Sequence, residues 1–369
     1  MSRKRMLTII LSVFACILFS SSIASAQIRT VLVSPAPGDP FASGANLRNA
    51  LANIPSPSST NRWLLKVEPG IYQLQGNALL MRPWVDIEGS GIGVTTIRIV
   101  ASPGVPTISG ASNAELRMLT VEATENAIAM FNSNAHPRIY RVNFVVQTTQ
   151  TQAFGMQNVS SAPKIEECEF SVSVNAPGGF GLGTGVSFVD LPIGVRSSIF
   201  RSHIKVSGAN TNYGVRMFRG QTVTEIQDTR MDITGGVNTY GIYALAGDWV
   251  GGEMLYLRNV VINSSRASSQ SVAIWLESGT LMGLDIYNSK IWGHVAPVTL
   301  GIFQGGNMPV GLRYSSVVGF TKTVQTVHNV GIVWTELNGG PVTGSPTSWV
   351  GCIAVVDELA VFYANGCPP

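Results

Sequence analysis

Eight copies of one apolar pattern recur along the chain, starting at Leu116, Ile139, Ile165, Ile199, Ile226, Leu257, Ile286 and Leu312. Each copy reads apolar, two free positions, small or apolar, one free, bulky apolar, one free, then usually apolar again. Consecutive copies lie 23, 26, 34, 27, 31, 29 and 26 residues apart. Alternation at period two marks short strands that bury one face. A unit this short cannot bury its apolar side alone. Stacked on its neighbours, it builds one continuous core. A second pattern follows most copies: apolar or aromatic, Gly or Ala, then an apolar residue. It reads Phe154-Gly155-Met156, Tyr213-Gly214-Val215, Tyr240-Gly241-Ile242, Val272-Ala273-Ile274, Leu300-Gly301-Ile302 and Val330-Gly331-Ile332.

Ahead of the repeats, residues 27–42 read as an extended, Pro-rich lead-in. Ser43 to Ile54 predicts a short amphipathic helix, with Ser43 as N-cap and Leu47, Ala50, Leu51 and Ile54 on one face. The Pro/Ser stretch 55–60 ends it. Trp63 to Val67 predicts a strand and Glu68-Pro69-Gly70 a turn. Strands then alternate with turns to about residue 337, with no helical crossover pattern. Residues 338–348 form a Gly/Pro/Thr/Ser loop, and 349–369 a hairpin. The expected divisions are 1–26, 27–60, 61–337 and 338–369.

Composition changes the picture at the N-terminus. Arg3, Lys4 and Arg5 precede an apolar run from Met6 to Phe19, and Ala24-Ser25-Ala26 offers small-residue cleavage before Gln27. That is the pattern of a secretory signal peptide, so the expected address is outside the cytoplasm: periplasm, cell surface or medium. No later stretch is long and apolar enough to span a membrane. The chain has 24 basic and 21 acidic residues; 24 less the three in the signal leaves 21, equal to the acidic count. This balance gives no electrostatic case for nucleic acid or anionic membrane. Cys352 and Cys367 bracket a short C-terminal segment and are expected to form a disulfide, worth about 3 kcal/mol by the chain-entropy argument. Cys168 takes the small position of its repeat and is expected to be a buried free thiol.

The run from Ala42-Ser43-Gly44 through Leu64-Leu65-Lys66-Val67-Glu68-Pro69-Gly70-Ile71-Tyr72 to Val85-Asp86-Ile87-Glu88-Gly89-Ser90-Gly91 and Thr95-Thr96-Ile97 carries a resemblance. It is similar to the start of right-handed parallel β-helix proteins of the pectin lyase-like and pectin methylesterase-like group. With the later repeats, the resemblance covers most of residues 42–335. It implies an all-β, right-handed parallel β-helix with a helix capping its first coils. It does not fix an activity, because one fold hosts many chemistries. Gln227-Asp228-Thr229 and Arg82-Pro83-Trp84 resemble methylesterase motifs, but their order along the chain is reversed. The family's Asp-Phe-Ile-Phe-Gly motif is missing.

The eight aspartates and four histidines are scattered, which predicts no calcium or zinc site and no cofactor. The repeat register supplies a sharper search. One outward row reads Thr120, Asn143, Glu169, His203, Arg230, Val261, Lys290, Ser316. The next reads Glu122, Val145, Ser171, Lys205, Asp232, Asn263, Trp292, Val318. Glu169, His203, Lys205, Arg230 and Asp232 should therefore gather on adjacent coils. A β-eliminating uronate lyase needs a base and a cation facing the substrate carboxylate, and this cluster contains both types. The competing reading is a solvated face with weak ion pairs. The second pattern gives another outward row: Gln157, Arg216, Tyr243, Trp275, Phe303, Val333, beside small residues that would form a shallow trough. Aromatic faces stack on sugars and bury well at interfaces; alternatively, a loop or the tail covers them. Two functions follow from these rows. The first is a non-catalytic exported protein binding glycan or a surface partner through Arg216, Tyr243, Trp275 and Phe303. The second is a polysaccharide-active enzyme, lyase-like rather than esterase-like, at the charged cluster. The pattern leaves open the oligomeric state.

Overall fold

A computed structural model describes residues 28–100, 104–176, 181–191, 194–220, 224–245, 253–277, 282–306, 309–327, 329–344, 350–357 and 362–365. The chain winds through three ladders of parallel strands. In one coil it passes Lys164–Glu166 in the first ladder, Glu169–Val174 in the second and Leu182–Leu191 in the third. The first two ladders share strands such as Arg138–Thr148, which run through both, and together make a 23-stranded sheet; the third is an 11-stranded sheet. This is a parallel β-helix.

The apolar repeat explains the stacking. Leu116, Ile139, Ile165, Ile199, Ile226, Leu257, Ile286 and Leu312 lie in one column in register, each with 0% exposure. The column extends upstream to Ile87 and Leu65 and downstream to Ile332 and Cys352. Each such side chain contributes about 2 kcal/mol by leaving water. In the second ladder Phe144 and Phe170 stack with ring centroids 4.8 Å apart, inside the same core.

The small position of the repeat has a hydrogen-bonding cause. Between the first and second ladders nine successive coils turn on a residue in the left-handed region: Met118, Arg141, Glu167, Arg201, Asp228, Asn259, Asn288, Tyr314 and Trp334 have φ between 46° and 57°. The corner takes the N–H groups that follow it, such as those of Cys168, Ser202, Val260 and Ser289, out of the ladder, and such groups need partners, while the carbonyls before it still accept ladder bonds. The next residue supplies them. The hydroxyls of Ser202, Thr229, Ser289 and Ser315 donate to the carbonyl two residues back, at 2.8 to 2.9 Å. They accept in turn from backbone N–H groups of the preceding coil, at 3.0 to 3.3 Å. Cys168 stands in this column, free and buried, and burial pushes its thiol up to about 12. A thiolate is the reactive form, so native Cys168 is inert.

The helix covers Pro40–Ala52, not Ser43–Ile54. Asp39 is the N-cap, because its carboxylate accepts from the N–H groups of Phe41 and Ala42 and Pro40 fits the first turn. Ser43 instead donates to the Asp39 carbonyl from inside the helix, at 2.8 Å. Leu47 and Leu51 are buried in the common core. Arg82 accounts for its own motif: its guanidinium donates to the carbonyls of Leu51, Ala52 and Ile54 at the helix end. Part of the lead-in is also a strand, since Arg29–Val33 pairs in parallel with Trp63–Val67.

Parallel pairing continues past residue 337 to Val350–Asp357, which also forms an antiparallel pair with Phe362–Asn365. Residues 1–26 and Cys367 lie outside the described residues. No helix among the described residues is long and apolar enough to cross a membrane.

Candidate functional site

The charged cluster assembles as its register requires. Glu169, His203 and Arg230 are consecutive rungs, and Ser171, Lys205, Asp232 and Asn263 are the rungs beside them. Lys205 Nζ lies 2.6 Å from Glu169 Oε1. Arg230 grips Asp232 through Nε and Nη2 at 2.6 and 2.7 Å. His203 Nε2 lies 2.8 Å from the same carboxylate, and Asn263 donates to it at 3.2 Å. Burial alone would push the Asp232 carboxyl up. The hydrogen bonds from Arg230, His203 and Asn263, with the Arg230 charge, together outweigh burial and hold it below the ordinary aspartate range.

That arrangement spends its charges internally. Both carboxylates are occupied, and Lys205 and Arg230 are the groups occupying them. A cleft of about 460 Å³ adjoins the cluster, lined by Glu169, His203 and Arg230 but not by Lys205 or Asp232. The five residues thus meet as neighbours without facing one cavity. The network has a checkable consequence. A depressed carboxyl contributes stability that is present above its unfolded value, about 4, and is lost as pH falls through the lower folded value. Asp232→Asn should therefore flatten the acid limb of urea-unfolding midpoint against pH. An unchanged slope below about pH 4 would show that the pairing adds nothing to stability.

Asp228, the aspartate of the Gln-Asp-Thr fragment, is one of the left-handed corner residues. Its two carboxylate oxygens accept from Asn259 and Gln227 at 2.8 and 3.0 Å. Thr229 supplies a corner hydroxyl. The fragment is thereby accounted for as a corner.

The aromatic row is also in register, with additions and one correction. Gln157, Ser187, Arg216, Tyr243, Trp275 and Phe303 are successive rungs of the third ladder. The next rung is Gln325, not Val333. Val330–Val333 belongs to the first ladder, paired with Val310–Arg313; its Gly motif imitates that of the third ladder. The expected trough of small residues is absent as well. A Cβ on Gly241 would meet Ile262 Cγ2 at 2.1 Å, and one on Gly214 would meet Ile233 Cδ1 at 2.9 Å. These glycines face the core.

The glycine geometry brings in two residues the alternation rule assigns elsewhere. Register pairs Tyr213 with Tyr240 and Val215 with Ile242, while the Gly between stays outside the pairing. The Gly sits at the same rung of both strands and kinks them together, which breaks period two. Tyr213 and Tyr240 therefore join the outward row instead of sharing the inward face of Val215 and Ile242. Tyr213 and Tyr240 stack at 5.3 Å, Tyr243 meets both edge-on at 5.1 and 5.0 Å, and Trp275 stacks on Phe303 at 4.0 Å. Buried Tyr240, Val272 and Leu300 and half-buried Tyr213, Tyr243, Trp275 and Phe303 form an apolar cluster separate from the main core.

A polar rim surrounds that cluster. The Tyr240 hydroxyl donates to Gln270 at 3.4 Å and the Tyr243 hydroxyl to Glu277 at 3.1 Å. Burial, with nearby Tyr213 and Glu277 adding, pushes Tyr240 up to about 12 and Tyr243 higher still, so both stay protonated donors. The Arg216 guanidinium sits 5.4 Å over the Tyr213 ring. Trp275 Nε1 and Arg216 Nε are buried and have no hydrogen-bond partner among the described residues.

The class defined by these features is a parallel β-helix with an aromatic cluster on the outside of its third ladder. No protein-family model matches the chain, and no curated protein is significantly similar to it. Among solved structures it is similar to the A-module of the mannuronan C-5 epimerase AlgE6 from Azotobacter vinelandii, at 14% identity and TM-score 0.44 over 88% of each chain. It is similar to tailspike protein 3 of bacteriophage CBA120, at 12% identity and TM-score 0.47, over 90% of this chain and 58% of that one. The catalytic domain of a GH87 α-1,3-glucanase in complex with nigerose gives 12% identity and TM-score 0.47, over 90% and 69%. Likeness at this level carries no argument about the chemistry of this chain.

Proposed function

We propose that the protein is an exported, non-catalytic β-helix that binds glycan along the Arg216–Tyr243–Trp275–Phe303 row, flanked by Tyr213 and Tyr240. One observation carries this reading: an apolar cluster sits outside the core and is ringed by a guanidinium, amides, a carboxylate and phenol hydroxyls. A pyranose ring has an apolar C–H face and a polar edge, and these two surfaces complement it. Rungs repeat at about 4.8 Å, so Tyr243 to Phe303 spans about 10 Å, the length of two sugar rings. The polar rim favours glycan over a protein partner.

Affinity electrophoresis through gels containing pectic, uronate or neutral polysaccharides tests the reading. Slower migration is expected in at least one polymer, and unaltered migration in all of them contradicts it. A second reading keeps the cluster of Glu169, His203, Lys205, Arg230 and Asp232, with the cleft beside it, as an enzyme site of the uronate lyase class. It requires unsaturated or shortened oligomers in the product mixture, and their loss in Lys205→Ala.

The export reading includes a signal peptide ending near Ala26, a helix that closes the first coil and a disulfide between Cys352 and Cys367. A thiol count checks the last part. Unfolded mature chain without reductant should give one reactive thiol, that of Cys168, and three after reduction. Three before reduction would remove the disulfide.

A further inference from the structure

We propose a second saccharide site, at the corner between the first and second ladders, built by Tyr314, Trp334, Lys290 and Glu336. A cleft of about 660 Å³ lies there, with Asn288, Tyr314 and Trp334 on the corner column and Lys290, Ser316 and Glu336 on the adjoining rungs. It lies on different ladders from the aromatic row, and it does not depend on that row binding anything.

Two features single it out. Tyr314 and Trp334 are 53% and 56% exposed, and neighbouring Tyr287, which meets Tyr314 edge-on at 5.4 Å, is 44% exposed. Both corner aromatics also occupy the left-handed region, at φ 52° and 49°. Earlier coils place Met118, Arg141, Glu167 and Arg201 at this corner, and the three preceding ones Asp228, Asn259 and Asn288, whose short polar side chains tolerate that backbone best; none is aromatic. A bulky aromatic is poorly suited to it, and exposure to water adds a second cost. Neither is offset by core packing, since the rings point into the cleft. The left-handed corner belongs to the fold, but filling it with an exposed aromatic does not, and that choice is what marks a ligand site.

The other wall is polar. Lys290 has no carboxylate partner among the described residues; its ammonium lies 5.8 Å from the Trp292 ring. Ser316 follows one rung on, and Glu336 two rungs on. An aromatic wall facing a cation, a hydroxyl and a carboxylate over three rungs, about 10 Å, fits a disaccharide stretch of a glycan.

The chain has seven tryptophans, few enough to resolve by fluorine NMR after 5-fluorotryptophan labelling. The full protein is titrated with cellobiose, maltose, chitobiose and digalacturonate. The Trp334 signal is expected to shift with at least one sugar. Tyr314→Asn, which restores the residue type of the preceding coil, should weaken that response at least tenfold while leaving the unfolding temperature unchanged or higher. Trp275→Ala should leave the Trp334 response intact. A Trp334 signal unmoved by all four sugars, or an Asn variant that lowers the unfolding temperature, overturns the site. The Trp275 signal reports separately on the aromatic row, so a shift there without one at Trp334 removes only this second site.

Discussion

Gly241→Ala is expected to lower the unfolding free energy by about 1–3 kcal/mol, the range for forcing extra atoms into a packed core. The added carbon would lie 2.1 Å from Ile262 Cγ2 and 2.5 Å from the Ala273 carbonyl oxygen, and the second of these is backbone. Gly331→Ala is the matched control, because nothing lies within 4 Å of the position its Cβ would take. Its effect should stay within about 0.5 kcal/mol. Urea unfolding followed by circular dichroism compares the two. The pair is informative because both glycines sit in the same sequence motif, and only the assignment to different ladders separates them. Equal effects would mean that this assignment is wrong.

Trp275→Ala should reduce glycan affinity by about 2 kcal/mol, roughly thirtyfold, as expected for truncating a central aromatic anchor. The fold should survive, since Trp275 packs in the outer cluster and not in the main core. Trp275→Phe keeps a ring against Phe303 but presents a smaller aromatic face, so it should fall between wild type and Ala. Titration calorimetry with the polymer that retards migration gives the affinities. Thermal unfolding of each variant separates lost contact from lost fold.

The coils were legible in the sequence because the core column is strictly apolar and its spacing admits one stacking. Leu116 through Leu312 could be aligned by eye, and both outward rows follow from that alignment with period two alone. Legibility ended wherever the period breaks. The kink at Gly241 turns Tyr240 outward, and no alternation rule anticipates it. The signal was present in the repeated Tyr-Gly pairs, Tyr213-Gly214 and Tyr240-Gly241, whose glycines are required by the closeness of Ile233 and Ile262. Val330-Gly331-Ile332 shows the converse failure, since an identical local pattern arises in a first-ladder strand for a different reason. Helix capping was misread by four residues because Asp39 and Ser43 are both good caps, and Pro40 decides between them. The charged cluster was placed correctly as a set of neighbours. Its pairing pattern depends on side-chain geometry that spacing does not carry: Arg230 and His203 converge on Asp232, and Lys205 on Glu169.

The central claim is that the outer aromatic row binds glycan without transforming it. The most direct test runs wild type, Trp275→Ala and Lys205→Ala side by side in polysaccharide gels, each with Tyr314→Asn added to weaken the second site, and with the polymer recovered and its products read by mass spectrometry. The account predicts retardation of wild type and of Lys205→Ala, loss of retardation in Trp275→Ala, and polymer of unchanged length. Retardation that survives Trp275→Ala, or new oligomers that vanish in Lys205→Ala, would contradict it and move the function to the charged cluster.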